Sequence, residues 1–386
     1  MSELCMVTKA WRSGGAWQTQ KIAQAIVDNG GKVTLIAPLG QPEEREPHHA
    51  NLRRIVLQRE FVDGAGNFFS RKIASLSRII GSCVATLGER LRTRTFFVTI
   101  PEPLPFIIPV LALLRLSGAR ILFLVHDAEP HAWKLAPNIR WIERWAHGLT
   151  YRLATTLVVL TAPVRNELVE KFGIVEEHIV VIPHGPFTID PVPPLPGNGR
   201  FLLFGTLRRN KCVLETVQGV ILARKTDPSV SLVLAGEPHG YELDYWQECQ
   251  AAVAQDPAGF EVKTGYVADE DLPALIATAD AFVTAYQDFK SASGVAMVAV
   301  LSGRPAMATD AGSLEELFAL GMSGERIEVP VTAEAIAAAI GRFRSVPAAQ
   351  WRERAAQATA VVSASISWDR IARDYLSLVR NGKLPA

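Results

Sequence analysis

Cysteine, net charge and long apolar runs are all scarce in this sequence of 386 residues. Its four cysteines lie far apart, with no CxxC pair and no Cys/His cluster at metal spacing, which predicts free thiols in a reducing compartment and no metal site. Lysine and arginine number 40 against 39 acidic residues, and this balance gives no sign of nucleic acid binding. The most apolar run, residues 104–116, is shorter than the roughly 20 residues of a spanning helix and contains prolines, which predicts a buried helix.

Two further patterns are missing. No G-x-G-x-x-G follows a predicted strand, and no acidic residue stands where that motif requires one, so a hydride-transferring dinucleotide enzyme is the least favoured class. The first residues lack the charged and then apolar pattern of a signal peptide, so we expect a cytoplasmic protein.

Apolar, β-branched runs alternate with helix-like segments over residues 1–183. The strand candidates are 3–8, 32–38, 96–103, 121–127 and 155–161. Continuous apolar strands between helices indicate a parallel sheet covered on both faces. This half carries 22 Lys and Arg against 16 Asp and Glu, a formal charge of about +6, while the rest of the chain has about −5, so we expect one face to meet an anionic partner.

The segment 184–200 interrupts this alternation, and its richness in proline and glycine makes it the natural linker. The alternation then restarts, with strand candidates at 201–204, 231–237, 260–267, 281–286, 304–310 and 326–330. We therefore predict two Rossmann-like, doubly wound α/β domains at 1–183 and 201–365, facing a central cleft, with a final helical segment at 366–386.

Ligands of such sheets bind beyond the carboxyl ends of the strands. That rule selects five turns: Gly14 and Gly15, Asp127, residues 205–211, Gly236 with Glu237, and residues 286–294. The basic turn 205–211 lies between a strand and a helix, where backbone N–H groups and cations together attract an anion. The alternative is a solvated basic turn without a ligand.

Several of these segments, taken in order, match one family. They are the Gly14-Gly15 turn, VIPHG at 181–185, FGTLRRNK at 204–211, AGEP at 235–238, GYV at 265–267, the stretch 271–316 and ISWDRIARDYLSLV at 366–379. Together they resemble the GT-B fold glycosyltransferases, especially the sugar-nucleotide enzymes of family four, nearly end to end. The resemblance implies an acceptor-binding first domain, a donor-binding second domain and a last helix that crosses back to the first domain.

In the family, the residues equivalent to Arg208 and Lys211 bind the diphosphate of the donor, beside the turn at Gly205. Charge builds on that leaving group in the transition state, so cations fixed nearby stabilise it. Arg209 points elsewhere by register and is predicted to lie at the surface.

This chain departs from the family at one place. The family has two glutamates eight positions apart, and the equivalent positions fall near Lys290 and Val298, neither of which is acidic. A Ser-Gly-Val arrangement takes that place and resembles the xanthan-type glucuronosyltransferases. We expect Ser291 or Ser293 to cap the helix that begins here and Gly294 to let the backbone approach a phosphate; an ordinary capped, buried helix is the alternative. The residues assigned to this part of the donor site are Ser291, Ser293, Gly294 and Val295. The departure leaves the donor sugar and the stereochemistry open.

Five further residues are candidates for contact with the donor. Glu237, after Gly236, has the chemistry to bind donor hydroxyl groups. Tyr266 and Val267 occupy the position where the family holds the base, and Tyr286 is a further candidate. Tyrosines at strand ends are as often packing residues.

His126 and Asp127 follow the fourth apolar run of the alternation, at 121–125. The resemblance allows two roles, because inverting relatives use an aspartate here as the general base and retaining relatives use a histidine here to contact the donor sugar. Asp127 as a helix N-cap is the structural alternative. Gly14 and Gly15 are assigned to the acceptor or diphosphate side, together with His184, which is either a ligand contact or structural.

Residues 70–92 repeat apolar side chains at helical spacing: Ile73, Leu76, Ile80, Val84, Leu87 and Leu91. Phe68 and Phe69 precede them, and cations occupy the other faces: Arg71, Lys72, Arg78, Arg90 and Arg92. The stripe packs either on its own domain or on an anionic membrane surface through residues 68–94. The second interpretation suits an enzyme whose acceptor sits on a lipid carrier.

We therefore expect a hexosyltransferase or glucuronosyltransferase that uses a UDP- or GDP-linked sugar and a polyprenyl-diphosphate-linked oligosaccharide in bacterial polysaccharide biosynthesis. No cofactor or metal is expected, since no DxD-like site is present and the resemblance implies none. The enzyme would be cytoplasmic or peripheral on the inner face of the cytoplasmic membrane. Two alternatives are a nucleotide-sugar epimerase or hydrolase of the same fold, which needs no acceptor, and a non-catalytic nucleotide-sugar-binding protein, which the lost acidic pair favours.

Overall fold

A computed structural model of the chain describes residues 3–11, 14–40, 49–58, 68–130, 133, 135–187, 189–268 and 270–385. The chain divides into two compact units: unit 1 comprises Met1–Gly185 and Ser367–Ala386, and unit 2 comprises Pro186–Ile366. Each unit contains a parallel sheet with helices, so the predicted fold class of two Rossmann-like α/β domains is confirmed.

The strands of unit 1 are β1 Leu4–Thr8, β2 Val33–Pro38, β3 Leu52–Leu57, β4 Thr95–Ile100, β5 Arg120–Val125, β6 Thr156–Val159 and β7 Ile179–Val181. They pair in parallel in the order β3-β2-β1-β4-β5-β6-β7. The order reverses between β1 and β4, and the carboxyl ends of these two strands are where a doubly wound sheet holds its ligand.

The helices in the first part of unit 1 are α1 Gly14–Asp28, α2 Phe68–Glu89, α3 Leu104–Leu116, α4 Arg140–Leu153 and α5 Ala162–Phe172. Side chains of α2, α3, α4 and α5 share one hydrophobic core with the sheet, so these helices cover the same face. The run 104–116 forms α3, as predicted, but Leu113 and Leu116 are exposed. Among the described residues, no helix combines the length and the apolar character that crossing a bilayer requires.

Most of the predicted apolar stripe of residues 70–92 is not on the face of α2 that packs on the sheet. Ile73, Leu76, Ile80 and Val84 are exposed, whereas Leu87 packs against the core. The buried side chains of the helix are Ala74, Ile79, Ser82, Thr86 and Glu89. Packing on its own domain therefore explains Leu87 but not the four exposed residues.

The strands of unit 2 are β8 Arg200–Phe204, β9 Ser231–Gly236, β10 Phe260–Thr264, β11 Ala281–Thr284, β12 Ala306–Ala308 and β13 Gly324–Arg326. They pair in parallel in the order β10-β9-β8-β11-β12-β13, so the reversal lies between β8 and β11. The helices are α6 Val213–Arg224, α7 Leu243–Val253, α8 Leu272–Ala277, α9 Gly294–Leu301, α10 Ser313–Ala319, α11 Ala333–Ser345 and α12 Ala348–Ser365.

The predicted linker 184–200 is largely part of unit 2, and this corrects the expected boundary. Leu195 is buried in the core of that unit. The Asp280 carboxylate accepts hydrogen bonds from the backbone N–H groups of Gly197 and Gly199, at 2.5 and 2.6 Å. Proline and glycine indicate irregular backbone, but such backbone also packs firmly when its polar groups find partners.

The last helix, α13 Trp368–Asn381, returns to unit 1 and packs beside α1. Tyr375 lies against Phe97 of β4, with ring centroids 5.0 Å apart. The Arg120 guanidinium donates to the Val379 carbonyl oxygen at 2.9 Å and so holds the last turn of the helix near the start of β5.

Candidate functional site

Two glycines hold the strand ends of unit 2 close together. Gly236, at the end of β9, has φ +146°, and a Cβ on it would overlap the carbonyl oxygen of Gly205. Gly205 has φ +95° and donates its N–H to the Ala235 carbonyl oxygen at 2.9 Å. Only glycine fits both positions without strain, and the result is a bare backbone turn at the carboxyl ends of β8 and β9.

Lys211 lies buried against this turn. Its Nζ atom is 3.0 Å from the place where a Cβ of Gly205 would be, and 5.5 Å from the centre of the Tyr286 ring. Among the described residues no carboxylate pairs with it. Burial, and then the neighbouring Arg208, lower the pKa of Lys211 to about 7. A buried ammonium group near a second cation is stable only when an anion joins them or when it loses its proton.

Arg208 and Arg209 differ in their surroundings. The Nε atom of Arg208 is buried and makes no hydrogen bond within the described part of the chain. The Arg209 guanidinium lies over the Tyr245 ring, 4.3 Å from its centre, and its side chain is exposed, as predicted from its register. A 3₁₀ turn at Arg209–Lys211 precedes α6. Arg208, just before this turn, and Lys211, its last residue, therefore both lie ahead of the helix and not in its first turn.

The start of α9 meets the same turn. Ser293 is its N-cap, since the hydroxyl oxygen accepts from the Ala296 N–H at 3.2 Å. Gly294 lies where a Cβ would be 3.1 Å from the Phe187 ring, and a Val295 methyl is 3.4 Å from the Cβ position of Gly205. The free N–H groups at this end of α9 therefore lie beside the Gly205 turn.

Tyr286 and Ser291 are buried beside this helix start. Burial raises the pKa of Tyr286 to about 12, although a hydrogen bond with Ser293 acts in the opposite direction. The Ser291 carbonyl oxygen accepts from the Ser313 N–H at 3.2 Å. Both residues are packed in the wall of the site, and their contact with the donor stays a prediction.

The predicted base-binding residues lie at the end of β10. Tyr266 is exposed and Val267 is half-buried against the core. Both line a cavity of about 490 Å³ whose other walls include Lys263, Thr264 and Leu275. Glu237 follows β9 and is exposed, so its carboxylate is accessible to a ligand.

In unit 1 the corresponding strand ends bring Gly15 and His126 together. A Cβ on Gly15 would lie 3.4 Å from His126 Nε2 and 3.3 Å from Ile100 Cδ1. Gly15 stands in the first turn of α1, which begins at Gly14. His126 Nε2 is inaccessible to solvent and makes no hydrogen bond among the described residues.

The protonation of His126 follows from its surroundings. Burial lowers its pKa, while Asp127 and a hydrogen bond to the Thr99 backbone act against that shift. Because Nε2 has no partner, the bond to Thr99 is made by Nδ1–H. The neutral ring therefore presents the lone pair of Nε2 toward Gly15 as a hydrogen-bond acceptor.

Asp127 follows β5 directly and is half-buried. The next helical residues are Pro137–Ile139 and then α4, so Asp127 caps no helix and that structural alternative is wrong. His184 stacks on Trp17, with ring planes 7° apart, and its Nδ1 lies 2.7 Å from the Gly185 carbonyl oxygen. These contacts agree with the structural alternative, and contact of His184 with a ligand stays a prediction.

Two residues at these strand ends were not selected by sequence reasoning. Asn210, which precedes Lys211, has a buried Oδ1 that makes no hydrogen bond within the described chain. The Nδ1 atom of His239, two residues after Glu237, is also buried and makes none. Asn210 lies within the selected turn 205–211 but was given no role there, and His239 lies just after the matched segment 235–238, so the folded arrangement identifies both. Among the described residues no group of three or more His, Cys, Asp or Glu converges as metal ligands would.

Comparison with known proteins gives a consistent assignment. Residues 12–186 match the family model Glycosyltransferase Family 4, and residues 198–345 match Glycosyl transferases group 1. The glycogen synthase of Mycobacterium tuberculosis is 26% identical over 295 residues, which are 72% of this chain and 68% of that protein. The O-antigen chain mannosyltransferase B of Escherichia coli is 28% identical over 249 residues, or 60% of this chain and 62% of that protein.

Among solved structures, HepE from Anabaena in complex with UDP and glucose has a TM-score of 0.70. It is 17% identical, and the match covers 97% of this chain and 98% of HepE. At this identity the likeness shows the fold alone. Since two glycosyltransferase models match the two halves in succession and together account for most of the chain, the chain belongs to the glycosyltransferases of the GT-B fold.

Proposed function

We propose that this glycosyltransferase takes its sugar from a UDP- or GDP-linked donor and transfers it to a polyprenyl-diphosphate-linked oligosaccharide in bacterial polysaccharide assembly. The observation that carries the donor class is Lys211, a buried lysine that pairs with no described carboxylate, next to Arg208 and the bare Gly205 turn. Two cations and a helix start at one strand end suit a diphosphate. HepE, which shares the fold, has been solved with UDP and with UDP-glucose.

The reaction follows from these groups. The bond between the sugar C1 and the diphosphate oxygen breaks, the electron pair leaves with the diphosphate, and a bond forms from C1 to an acceptor hydroxyl oxygen. Lys211, Arg208 and the N–H groups at the start of α9 stabilise the charge that builds on the diphosphate. This donor site would also hold the sugar or base through Gly236, Glu237, Tyr266 and Val267.

In unit 1, His126 and Asp127 contact the groups that react, which are the donor sugar or the acceptor hydroxyl. The unpartnered Nε2 of His126 is buried in the free protein; in the proposal the start of α1 shifts as substrate binds, and Nε2 then accepts a hydrogen bond from a substrate hydroxyl beside Gly15. If transfer inverts the configuration, Asp127 takes the proton of the acceptor hydroxyl. The sugar moved is a hexose or glucuronic acid, and the name of the E. coli relative, an O-antigen chain mannosyltransferase, supports an acceptor in a glycan assembly reaction.

The lipid carrier of this acceptor requires the enzyme to work at the inner face of the cytoplasmic membrane. The exposed apolar stripe of α2 supports the contact expected through residues 68–94. The side chain of Phe68 lies outside the described residues.

Calorimetric titration with UDP, GDP and UDP-glucose tests the donor site. Lys211→Met and Arg208→Gln should each weaken binding of the preferred diphosphate by about 1–3 kcal/mol, the scale of a lost charge-assisted hydrogen bond. Arg209→Gln is the matched control, because this neighbouring arginine lies over Tyr245 instead. Unchanged affinity in both test variants would count against the assignment.

Incubation of a labelled donor with and without lipid-linked acceptor separates the remaining alternatives. Transfer that requires the acceptor supports the proposal. Release or epimerisation of the sugar without acceptor indicates the epimerase or hydrolase class. Binding without turnover in either case indicates a non-catalytic nucleotide-sugar-binding protein.

A further inference from the structure

The segment that follows β5 carries His126 and Asp127, the two residues of unit 1 that the proposed function places at the reaction. Among its described residues the next regular element is the 3₁₀ turn Pro137–Ile139. Irregular backbone stays in place only where its polar groups find partners. In this segment the partners are side chains of α4 and α5, so these helices decide how closely the two residues are held.

The first of these partners is Tyr151, a buried residue of α4. Its hydroxyl group donates a hydrogen bond of 2.8 Å to the carbonyl oxygen of Ala128, the residue after Asp127. The Ala128 side chain is fully buried in the core of unit 1. The backbone of Asp127 is thus fixed on one side by β5, which ends at Val125, and on the other side by this bond.

The ring of Tyr151 is itself held in one orientation. It makes edge contacts with Phe123 of β5 and with Phe172 at the end of α5, with ring centroids 6.2 and 5.1 Å away. Burial raises the pKa of Tyr151, and nearby carboxylates, Asp127 first among them, raise it further. The hydroxyl group therefore keeps its proton and remains a hydrogen-bond donor.

Glu129 is the second point at which the segment is held. Its carboxylate forms an ion pair with Lys171 of α5 and lies 3.6 Å from the Arg144 guanidinium of α4. Lys171 also pairs with Glu167, one turn earlier in α5, and the hydrogen bonds with the two glutamates raise the pKa of Lys171. These side chains are partly exposed, so we expect the ion pair to contribute less than the buried bond of Tyr151.

A second buried tyrosine of unit 1 shows that burial alone does not bring such a bond. Tyr375 of α13 is 1% exposed and Tyr151 is 5% exposed, and both pack against aromatic rings. The Tyr375 hydroxyl group makes no hydrogen bond among the described residues. A phenylalanine would serve the packing at either position, so the hydroxyl of Tyr151 has a task that packing does not explain.

We infer that Tyr151 is a positioning residue for the transfer reaction: through the Ala128 carbonyl it holds Asp127 and His126 in place, and the ion pair of Glu129 supports it. The inference rests on the proposed function, because that function gives His126 and Asp127 their roles. A displacement of about 1 Å at a reacting group is enough to lower a rate by up to about a hundredfold. Nucleotide binding in unit 2 does not depend on this segment, so the expected signature is a loss in kcat without a loss in nucleotide affinity.

Tyr151→Phe tests the hydroxyl group, because it keeps the ring and removes the donor. With UDP-glucose as the donor and prenyl-diphosphate-linked glucose as the acceptor, kcat should fall about tenfold. The KM for UDP-glucose and the calorimetric affinity for UDP should stay within about twofold of the wild type. Tyr375→Phe is the matched control and should leave kcat unchanged. An unchanged kcat in Tyr151→Phe, or an equal loss in both variants, would overturn the inference.

Lys171→Met and Lys171→Arg test the ion pair with Glu129. The methionine variant should lose about threefold in kcat, since the pair is partly exposed. The arginine variant keeps a cation within reach of the carboxylate and should recover the loss. Equal values of kcat in the two variants would overturn the part assigned to Glu129.

NMR spectra of the free protein keep this inference separate from the proposed function. In Tyr151→Phe the signals of the Asp127 amide and of the His126 ring N–H should shift and exchange faster with solvent. Tyr375→Phe should leave both signals in place. If the wild type transfers no sugar, the proposed function fails, and these spectra still decide the positioning role. Unmoved signals in Tyr151→Phe, or a loss of kcat that only follows the loss of folded protein in thermal unfolding, would overturn it.

Discussion

The ammonium group of Lys211 lies 5.5 Å from the centre of the Tyr286 ring, on a wall of the site where no described carboxylate pairs with it. Its pKa of about 7 in the free protein has a consequence for binding. An anion placed beside the lysine favours the charged form and raises this pKa in the complex. Binding of a nucleoside diphosphate therefore takes up a proton near neutral pH.

Affinity for the diphosphate should be full below pH 7 and fall as the pH rises above it, by up to about tenfold per pH unit until the pKa of the complex is reached. Calorimetry between pH 6 and pH 9, in buffers of different ionisation enthalpy, measures both the affinity and the protons taken up. Lys211→Met should remove the pH dependence. A dependence that persists in this variant would assign it to another group.

Gly236→Ala should disrupt unit 2 locally. A Cβ there would overlap the Gly205 carbonyl oxygen, and φ of +146° is unfavourable for alanine, so we expect the free energy of unfolding to fall by more than about 2 kcal/mol. Gly240→Ala is the control in the same loop, because nothing lies within 4 Å of its Cβ position. Chemical denaturation measures both variants, and equal stability would show that the turn relaxes without cost.

His126→Ala should lower kcat/KM for transfer while UDP binding remains unchanged. The expected loss is about ten- to hundredfold, corresponding to one hydrogen bond to a substrate hydroxyl. Because burial lowers the pKa of His126, its acceptor nitrogen stays unprotonated well below pH 6.5, and transfer should not fall at that pH in the wild type. A loss of activity that follows an ordinary histidine titration would contradict a neutral acceptor.

Asp127→Asn should leave donor binding intact and abolish most transfer if this carboxylate is the general base. Analysis of the product configuration by NMR then distinguishes the two mechanisms. Near-normal transfer in the asparagine variant, with a retained configuration, would assign the chemistry to His126 and the donor itself. An inverted product with little activity would assign it to Asp127.

His184 should make unit 1 sensitive to acid. Burial lowers its pKa to about 4, whereas an unfolded histidine titrates near 6.5. The unfolded chain therefore binds a proton that the folded chain does not, and stability present above pH 6.5 is lost as the pH falls toward 4. Thermal unfolding against pH should show a shallower decline in His184→Gln than in His178→Gln, an exposed histidine of the same unit. Equal slopes would exclude His184 as the source.

Much of this organisation follows from the chain itself. Apolar runs that alternate with helical segments predicted both sheets, because buried parallel strands need apolar side chains on both faces. The register of the turn predicted that Arg209 points away from the site assigned to Arg208. The folded chain places Arg209 over Tyr245 at the surface. The family resemblance, rather than spacing, supplied the roles given to these residues.

The errors have physical causes. Helical spacing identified an apolar stripe on α2, but spacing does not show which face meets the sheet. Ile73, Ile80 and Val84 of the stripe are exposed, while Ser82, Thr86 and Glu89 are buried together with Ala74 and Ile79. Composition marked 184–200 as a linker, because it does not reveal that the Asp280 carboxylate fixes the backbone of Gly197 and Gly199. The sequence placed Asn210 in the selected turn 205–211 but did not show its unbonded Oδ1, since that isolation arises only from the folding of neighbouring segments.

The return of α13 to unit 1 affects the order in which the chain can fold. Residues 186–366 form an uninterrupted unit, and all of them are synthesised before Trp368–Asn381. Tyr375 and Arg120, which join this helix to β4 and β5, cannot meet until residues 368–381 have left the ribosome. The first unit is therefore begun first but completed after the second, and a nascent chain whose residues up to 366 have left the ribosome should contain a finished second unit beside a first unit that still lacks a helix.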